Sequence, residues 1–182
     1  LVSIVIVNFN GRTYLNKLLD ACLESVLKTE YRDFEVLFVD NASTDDSATY
    51  VRKKYGTNSR LRVIELKKNF GYSGGVNEGV TYAKGDIIAV LNTDVIVTPN
   101  WLKESVQTAQ FNENVGVVTS KILIQKPQWD TAGGEIDVLL VGNDRLVKGK
   151  ELGLRCFHPS GAAFIIKRKL VENLRELFDA DF

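Results

Sequence analysis

The chain has no methionine, two cysteines and one histidine among its 182 residues, and Lys+Arg balances Asp+Glu at 23 each. With no cationic surplus, nothing advertises a nucleic-acid or membrane-surface partner. Two cysteines, Cys22 and Cys156, build neither a disulfide framework nor a zinc site, so a reducing, cytoplasmic setting is expected. No apolar run approaches the roughly 20 residues that cross a bilayer. Val2 to Val7 lacks the basic flank and cleavage site of a signal peptide. The missing initiator and the close on Asp179-Ala180-Asp181-Phe182 read as a segment of a longer protein. What is there, 45% hydrophobic and 25% charged, suits one soluble globular domain.

Apolar periodicity divides the chain. Val2 to Val7, Phe34 to Val39, Leu61 to Leu66, Ile87 to Leu91 and Val115 to Val118 have strand length and are largely apolar on both faces. Leu15, Leu18, Leu19, Cys22, Leu23, Val26 and Leu27 form one helical stripe, on which Cys22 is expected to pack. A short helix carries Ala48, Val51 and Tyr55, with Ser43 or Thr44 as its cap and Asp45 and Asp46 in its first turn. A glycine-rich segment leads into a helix through Val76, Val80 and Ala83 that Gly85 stops. Pro99 opens another through Leu102, Val106 and Ala109. Strands alternating with helices predict a mostly parallel sheet covered on both sides. After residue 120 glycines punctuate hairpin-like pieces. Ala162 to Ile166 is again strand-like, and Leu170, Val171, Leu174, Leu177 and Phe178 predict a last amphipathic helix. The expected organisation is therefore a single domain over 1–182, with a front half over 1–120 and an irregular half over 121–182.

Ligands of open parallel sheets sit outside the carboxyl ends of the strands. Those ends read Asn8-Phe9-Asn10, Asp40-Asn41-Ala42-Ser43, Lys67-Lys68-Asn69 and Asn92-Thr93-Asp94. Asp40 and Asn41 could hydrogen-bond a base or ribose, with the Phe9 ring beside them. The run Asn69-Phe70-Gly71-Tyr72-Ser73-Gly74-Gly75-Val76-Asn77-Glu78-Gly79 has two open readings: backbone N–H groups approaching an anion, or a glycine turn with close helix packing. It is neither the dinucleotide fingerprint nor a P-loop. Asp94, wedged between two apolar runs, is either a turn residue or a carboxylate facing a diphosphate through a divalent cation.

In order along the chain, Val2 to Asn10, Val39 to Ser47, Asn69 to Gly79 and Leu91 to Asp94 resemble the inverting nucleotide-sugar glycosyltransferases of family two. Asn92-Thr93-Asp94 and Ser160-Gly161-Ala162-Ala163 resemble its rhamnosyltransferase-like branch. The resemblance implies an α/β fold of the GT-A kind: a Rossmann-like, mostly parallel sheet flanked by helices, with an irregular C-terminal acceptor half. It implies a nucleoside-diphosphate sugar as donor and a saccharide or lipid-linked acceptor in cell-surface polysaccharide synthesis, with attachment at the inner face of the membrane as an option. Asn8, Phe9, Asn10 and Asp40 would meet the nucleoside. Asn69, Gly71 and Asn77 would border the ribose and diphosphate, beside Asn92 and Thr93. Asp94 would hold Mn²⁺ or Mg²⁺, although Asn92 stands where the family's first acidic residue is expected. The family's base usually follows a Phe-Asp-x-x-Phe segment, matched here by Phe178 to Phe182. It is expected beyond Phe182, with Asp181 as the fallback and His158 either a loop residue or an acceptor-side group. The alternative is a catalytically silent nucleotide-sugar-binding module. A nucleotidyltransferase is disfavoured because Asn8-Phe9-Asn10-Gly11-Arg12 is not the glycine-rich basic loop such enzymes carry.

Overall fold

Strands that are apolar on both faces need cover on both sides, and the computed structural model supplies it. It describes residues 1–111, 113–123, 130–136, 142–147, 159–174 and 176–179; His158, Cys156 and Asp181 lie outside these. The elements in chain order are β1 (Val2–Asn8), α1 (Gly11–Tyr14), α2 (Lys17–Leu27), β2 (Phe34–Asp40), α3 (Ser47–Tyr55), β3 (Leu61–Glu65) and α4 (Gly71–Thr81). They continue with β4 (Ile87–Asn92), α5 (Trp101–Phe111), β5 (Val117–Thr119), β6 (Asp130–Ile136), β7 (Gly142–Val147), β8 (Ala163–Lys167) and α6 (Arg168–Glu172).

The main sheet has the order β3-β2-β1-β4-β8-β5, and β6 with β7 forms a separate antiparallel pair. β1 to β4 are mutually parallel, while β8 runs antiparallel between β4 and β5. The α/β class and GT-A-like sheet expected from the sequence are thus present. Side chains alternate across the sheet as the two-residue period requires. Ile4, Ile6, Val36, Phe38, Ala89 and Leu91 pack under α2, α3 and α5. Val5, Leu37, Val39, Ile88 and Val90 pack on the opposite face with Val76 and Val80 of α4 and Leu170 and Val171 of α6. Each fully buried Leu or Val contributes about 1.5–3 kcal/mol, so these two layers dominate the stability of the fold.

The glycines expected to precede α4 lie inside it, because the helix starts at Gly71. A Cβ on Gly79 would stand 2.7 Å from Val5 Cγ1 and 2.8 Å from Val39 Cγ2, and one on Gly75 2.8 Å from Val7 Cγ1. The glycine stripe therefore lets α4 lie close on β1 and β2, which accounts for these two glycines by packing. Gly79→Ala is expected to destabilise by about 1–2 kcal/mol in urea unfolding, overpacking outweighing the gain in helix propensity. A stabilised variant would mean that the helix simply lifts off.

Four local expectations are corrected. The stripe from Leu15 to Leu27 is broken at Asn16, whose φ of 47° interrupts the helix. Leu18 is exposed, so the buried face narrows to Leu19, Cys22, Leu23 and Val26. Neither Ser43 nor Thr44 caps α3: the helix starts at Ser47 behind Asp46, with no side-chain cap, and Asp45 and Asp46 precede its first turn. Instead the Ser47 N–H donates to Asp45 Oδ1. Burial pushes the Asp45 carboxyl up, but hydrogen bonds from Ser47 and Thr13 outweigh it and hold it low. The last helix stops at Glu172, with Leu174 exposed, because the following chain is drawn onto α4.

Candidate active site

Register brings the polar ends together. Asp40 pairs with both Asn8 and Glu65, and Asn92 with Val7, so the carboxyl ends of β3, β2, β1 and β4 lie in line. The chain fills one side of β1 with β2 and β3, then crosses to the other side for β4. That reversal of strand order beside β1 is where open α/β sheets form a crevice.

The crevice floor is a hydrogen-bond network among Asn8, Asn10, Asp40 and Ser43. Asn8 Nδ2 donates to Asp40 Oδ1 at 2.9 Å and to Ser43 Oγ at 3.1 Å. Ser43 Oγ donates to Asp40 Oδ1 at 2.6 Å, its N–H donates to Asp40 Oδ2 at 3.0 Å, and its Oγ accepts from Asn10 N–H at 2.9 Å. Asn10, left-handed at φ 52°, turns its Oδ1 to the N–H groups of Thr44 and Asp45. Asn8, Asn10 and Asp40 are all buried. Asn8 Oδ1 has no hydrogen-bond partner. Of Asn8, Phe9 and Asn10, only Phe9 offers an exposed side chain, at 43%.

Beside this floor Asn41, also buried, orders the start of α4. Its Nδ2 donates to Asn69 Oδ1 at 3.0 Å and to Gly71 O at 2.8 Å, and its Oδ1 accepts from Phe70 N–H. Asn69 and Gly71, with φ 70° at the glycine, are thereby fixed next to the end of β2. On the other side, Asn92 N–H donates to Ala162 O, and Asn92 O accepts from Val95 N–H and Cys22 Sγ. Asn92 Oδ1 is buried without a partner. Thr93 is half-buried, and Asp94 is exposed in the turn that follows.

The Asp94 charge is felt on two sides. Burial first, and then Asp94, push the Cys22 thiol from 9.0 up to about 12; the same two causes raise the Tyr72 phenol to about 12. Tyr72, in the first turn of α4, donates its Oη to Gly161 O at 2.8 Å. Because the folded chain keeps the Cys22 proton between pH 9.0 and about 12 while the unfolded chain loses it, this contribution is complete below pH 9 and declines above. The expected loss is up to about 1.4 kcal/mol per pH unit in that window. Denaturant titrations at about pH 8 and about pH 11 measure it. Alkylation mapped to Cys22 by mass spectrometry is expected only after unfolding.

Among the described site residues, Asn77 stands apart. Its carboxamide makes four bonds to residues 176–178 and has no capacity left for a ligand. The sequence reading missed Ser43, Asn41 and Tyr72 as organisers. For the first two a signal existed, since an Asp-Asn-x-Ser string after a strand is rich in side chains that bond nearby backbone; nothing marked Tyr72. Among the described residues no group of three or more His, Cys, Asp or Glu could hold a metal. A cation would meet Asp94 as its one carboxylate of this turn.

Glycosyl transferase family 2 matches over residues 3–175. The uncharacterized protein y4gI of Sinorhizobium fredii is 33% identical over 99% of this chain and 20% of its own length. Glycosyltransferase GlyG of Streptococcus pneumoniae is 28% identical over 81% of this chain and 46% of its own. The chain thus spans half or less of these relatives. In fold it is similar to the mannosyltransferase PcManGT of Pyrobaculum calidifontis, solved with GDP-Man and Mn²⁺, at a TM-score of 0.73 and 20% identity over 99% of this chain and 48% of that one. With the match running through every element of the main sheet, the chain belongs to glycosyl transferase family 2.

Proposed function

We propose that this domain transfers a sugar, of hexosyl or rhamnosyl type, from a nucleoside-diphosphate donor to a hydroxyl of a saccharide or lipid-linked acceptor, in cell-surface polysaccharide synthesis. The observation that carries the reading is the line of polar strand ends at the reversal beside β1, with exposed Phe9 on one flank and exposed Asp94 on the other. Phe9 offers a ring face for the base. The floor of Asn8, Asn10, Asp40 and Ser43 holds that ring and the Asn69–Gly71 turn in place, and Thr93 and Asp94 face the diphosphate side.

The donor set suits a cation that arrives with its nucleotide. Mg²⁺ and similar ions bind through one or two carboxylates plus substrate phosphates, and Asp94 supplies one. When bound, the ion would neutralise charge on the departing diphosphate. The transfer is a single displacement. The acceptor oxygen bonds to the anomeric carbon opposite the nucleotide, the carbon–diphosphate bond breaks with its electron pair leaving on the diphosphate, and the hydroxyl proton passes to a carboxylate. Asp181, or a carboxylate beyond Phe182, is proposed for that role, and the configuration inverts. A cytoplasmic setting at the inner face of the membrane suits this role; among the described residues no helix is long and apolar enough to cross a membrane.

Titration calorimetry with UDP, GDP, CDP and dTDP, with and without Mn²⁺, tests the reading. Binding of at least one, strengthened by Mn²⁺, is expected, and indifference to all four would overturn it. Asn92 in place of a carboxylate favours one second reading, a silent binding module. Binding without any donor consumption would select it.

A further inference from the structure

Resting on the donor-site reading, we propose that Asn77 is a positioning residue. It fixes the chain through Asp179 against α4, and so sets the acceptor side of the crevice relative to the donor side.

The geometry is a saturated clamp. Asn77 Nδ2 donates to Glu176 Oε2 at 3.0 Å and to Phe178 O at 2.7 Å. Its Oδ1 accepts from the N–H groups of Leu177 at 3.1 Å and Phe178 at 3.0 Å. A carboxamide has two N–H donors and two oxygen lone pairs, and all four are engaged across about a hundred residues of sequence. Only Asn fits: Asp lacks the donors, Ser lacks the second donor, and Gln would carry the amide a bond too far.

Local packing is partial, with Leu170, Val171 and Leu177 half-buried against the core. α6 ends at Glu172 and buries none of its residues. Beyond it, the clamp acts together with Leu177, packed against the core, and with the Phe178 ring, which lies 6.0 Å from Tyr72 and 6.1 Å edge-on from Phe164. Both Tyr72 and Asn77 belong to α4, whose first turn Asn41 ties to the end of β2 beside the crevice. Tyr72 also holds Gly161, just before β8. One rigid helix therefore grips the donor-side floor at its start and the chain leading to Asp179 along its body. An attacking hydroxyl must stand at attack distance from the anomeric carbon, and misplacement by about 1 Å costs about 10²-fold in rate.

The test uses the full-length protein, with Asn77→Ala and the near-isosteric Asn77→Asp, and three measurements. Hydrogen exchange at the Leu177 and Phe178 amides is expected to accelerate about tenfold or more. Affinity for UDP and GDP with Mn²⁺ is expected to stay within about twofold, and donor KM likewise, while kcat falls by about 10²-fold. Folding of each variant is checked by circular dichroism, and Asn77→Asp, which loses both donated bonds and sets a carboxylate against Glu176 Oε2 and Phe178 O so that the clamp is pushed open, serves if Asn77→Ala unfolds. Faster exchange with unchanged kcat would overturn the positioning role, and so would unchanged exchange. A loss of nucleotide affinity equal to the loss of kcat would also overturn it. Wild-type protein that binds nucleotide but consumes no donor overturns the transfer reading, and the positioning role with it. A wild type that turns over while the variants match it overturns the positioning role alone.

Discussion

Asp94→Ala is expected to abolish the Mn²⁺-dependent part of nucleotide affinity and to lower turnover by about 10²–10³-fold, the scale on which removing one group that stabilises developing charge is felt. Stability should move little, within about 0.5 kcal/mol, because the side chain is exposed. One readout is independent of activity. The Asp94 charge helps raise the Tyr72 phenol, so the variant's Tyr72 should titrate lower, measured by ultraviolet difference spectroscopy against Tyr72→Phe. An unchanged Tyr72 titration would mean the carboxylate points away from the crevice. Retained Mn²⁺ dependence would place the cation elsewhere.

Asp40→Ala is the second large effect, and it falls on the fold. The carboxylate accepts from Asn8 Nδ2, Ser43 N–H and Ser43 Oγ in a buried setting. Hydrogen bonds to a charged group are worth about 1.5–3 kcal/mol each, and donors left buried without partners are destabilising in their own right. Non-additivity within one network brings the expected loss to about 3 kcal/mol, with Asp40→Asn intermediate because it keeps one acceptor. Urea unfolding measures this. If nucleotide affinity collapsed while stability held, Asp40 would be a reader of the base. The opposite pattern would make it the post that holds Phe9 and Asn41 in place.

The strands and the face each helix buries were legible because they rest on local periodicity: Val36 and Phe38 face one way, Leu37 and Val39 the other. The crevice was legible because strand ends can be read from where apolar runs stop. Three things were not. The Asn16 break is a backbone conformation that the stripe of leucines hides. The place of β8 depends on pairing Leu91 with Ala163, which no local pattern encodes. The role of Asn77 is set by partners 99 to 101 residues distant, so residue type announced a polar group without saying what it would meet.

The insertion of β8 governs how the chain reaches this state. Until residues 163–167 exist, the Ile87–Asn92 strand is an open rim, apolar from Ile87 to Leu91, the kind of edge on which other chains assemble. Closing the loop between Leu91 and Ala163 comes late and is entropically demanding, which slows assembly. A nascent polypeptide leaving the ribosome therefore carries a sticky margin through some seventy residues of synthesis, a natural target for a holding chaperone.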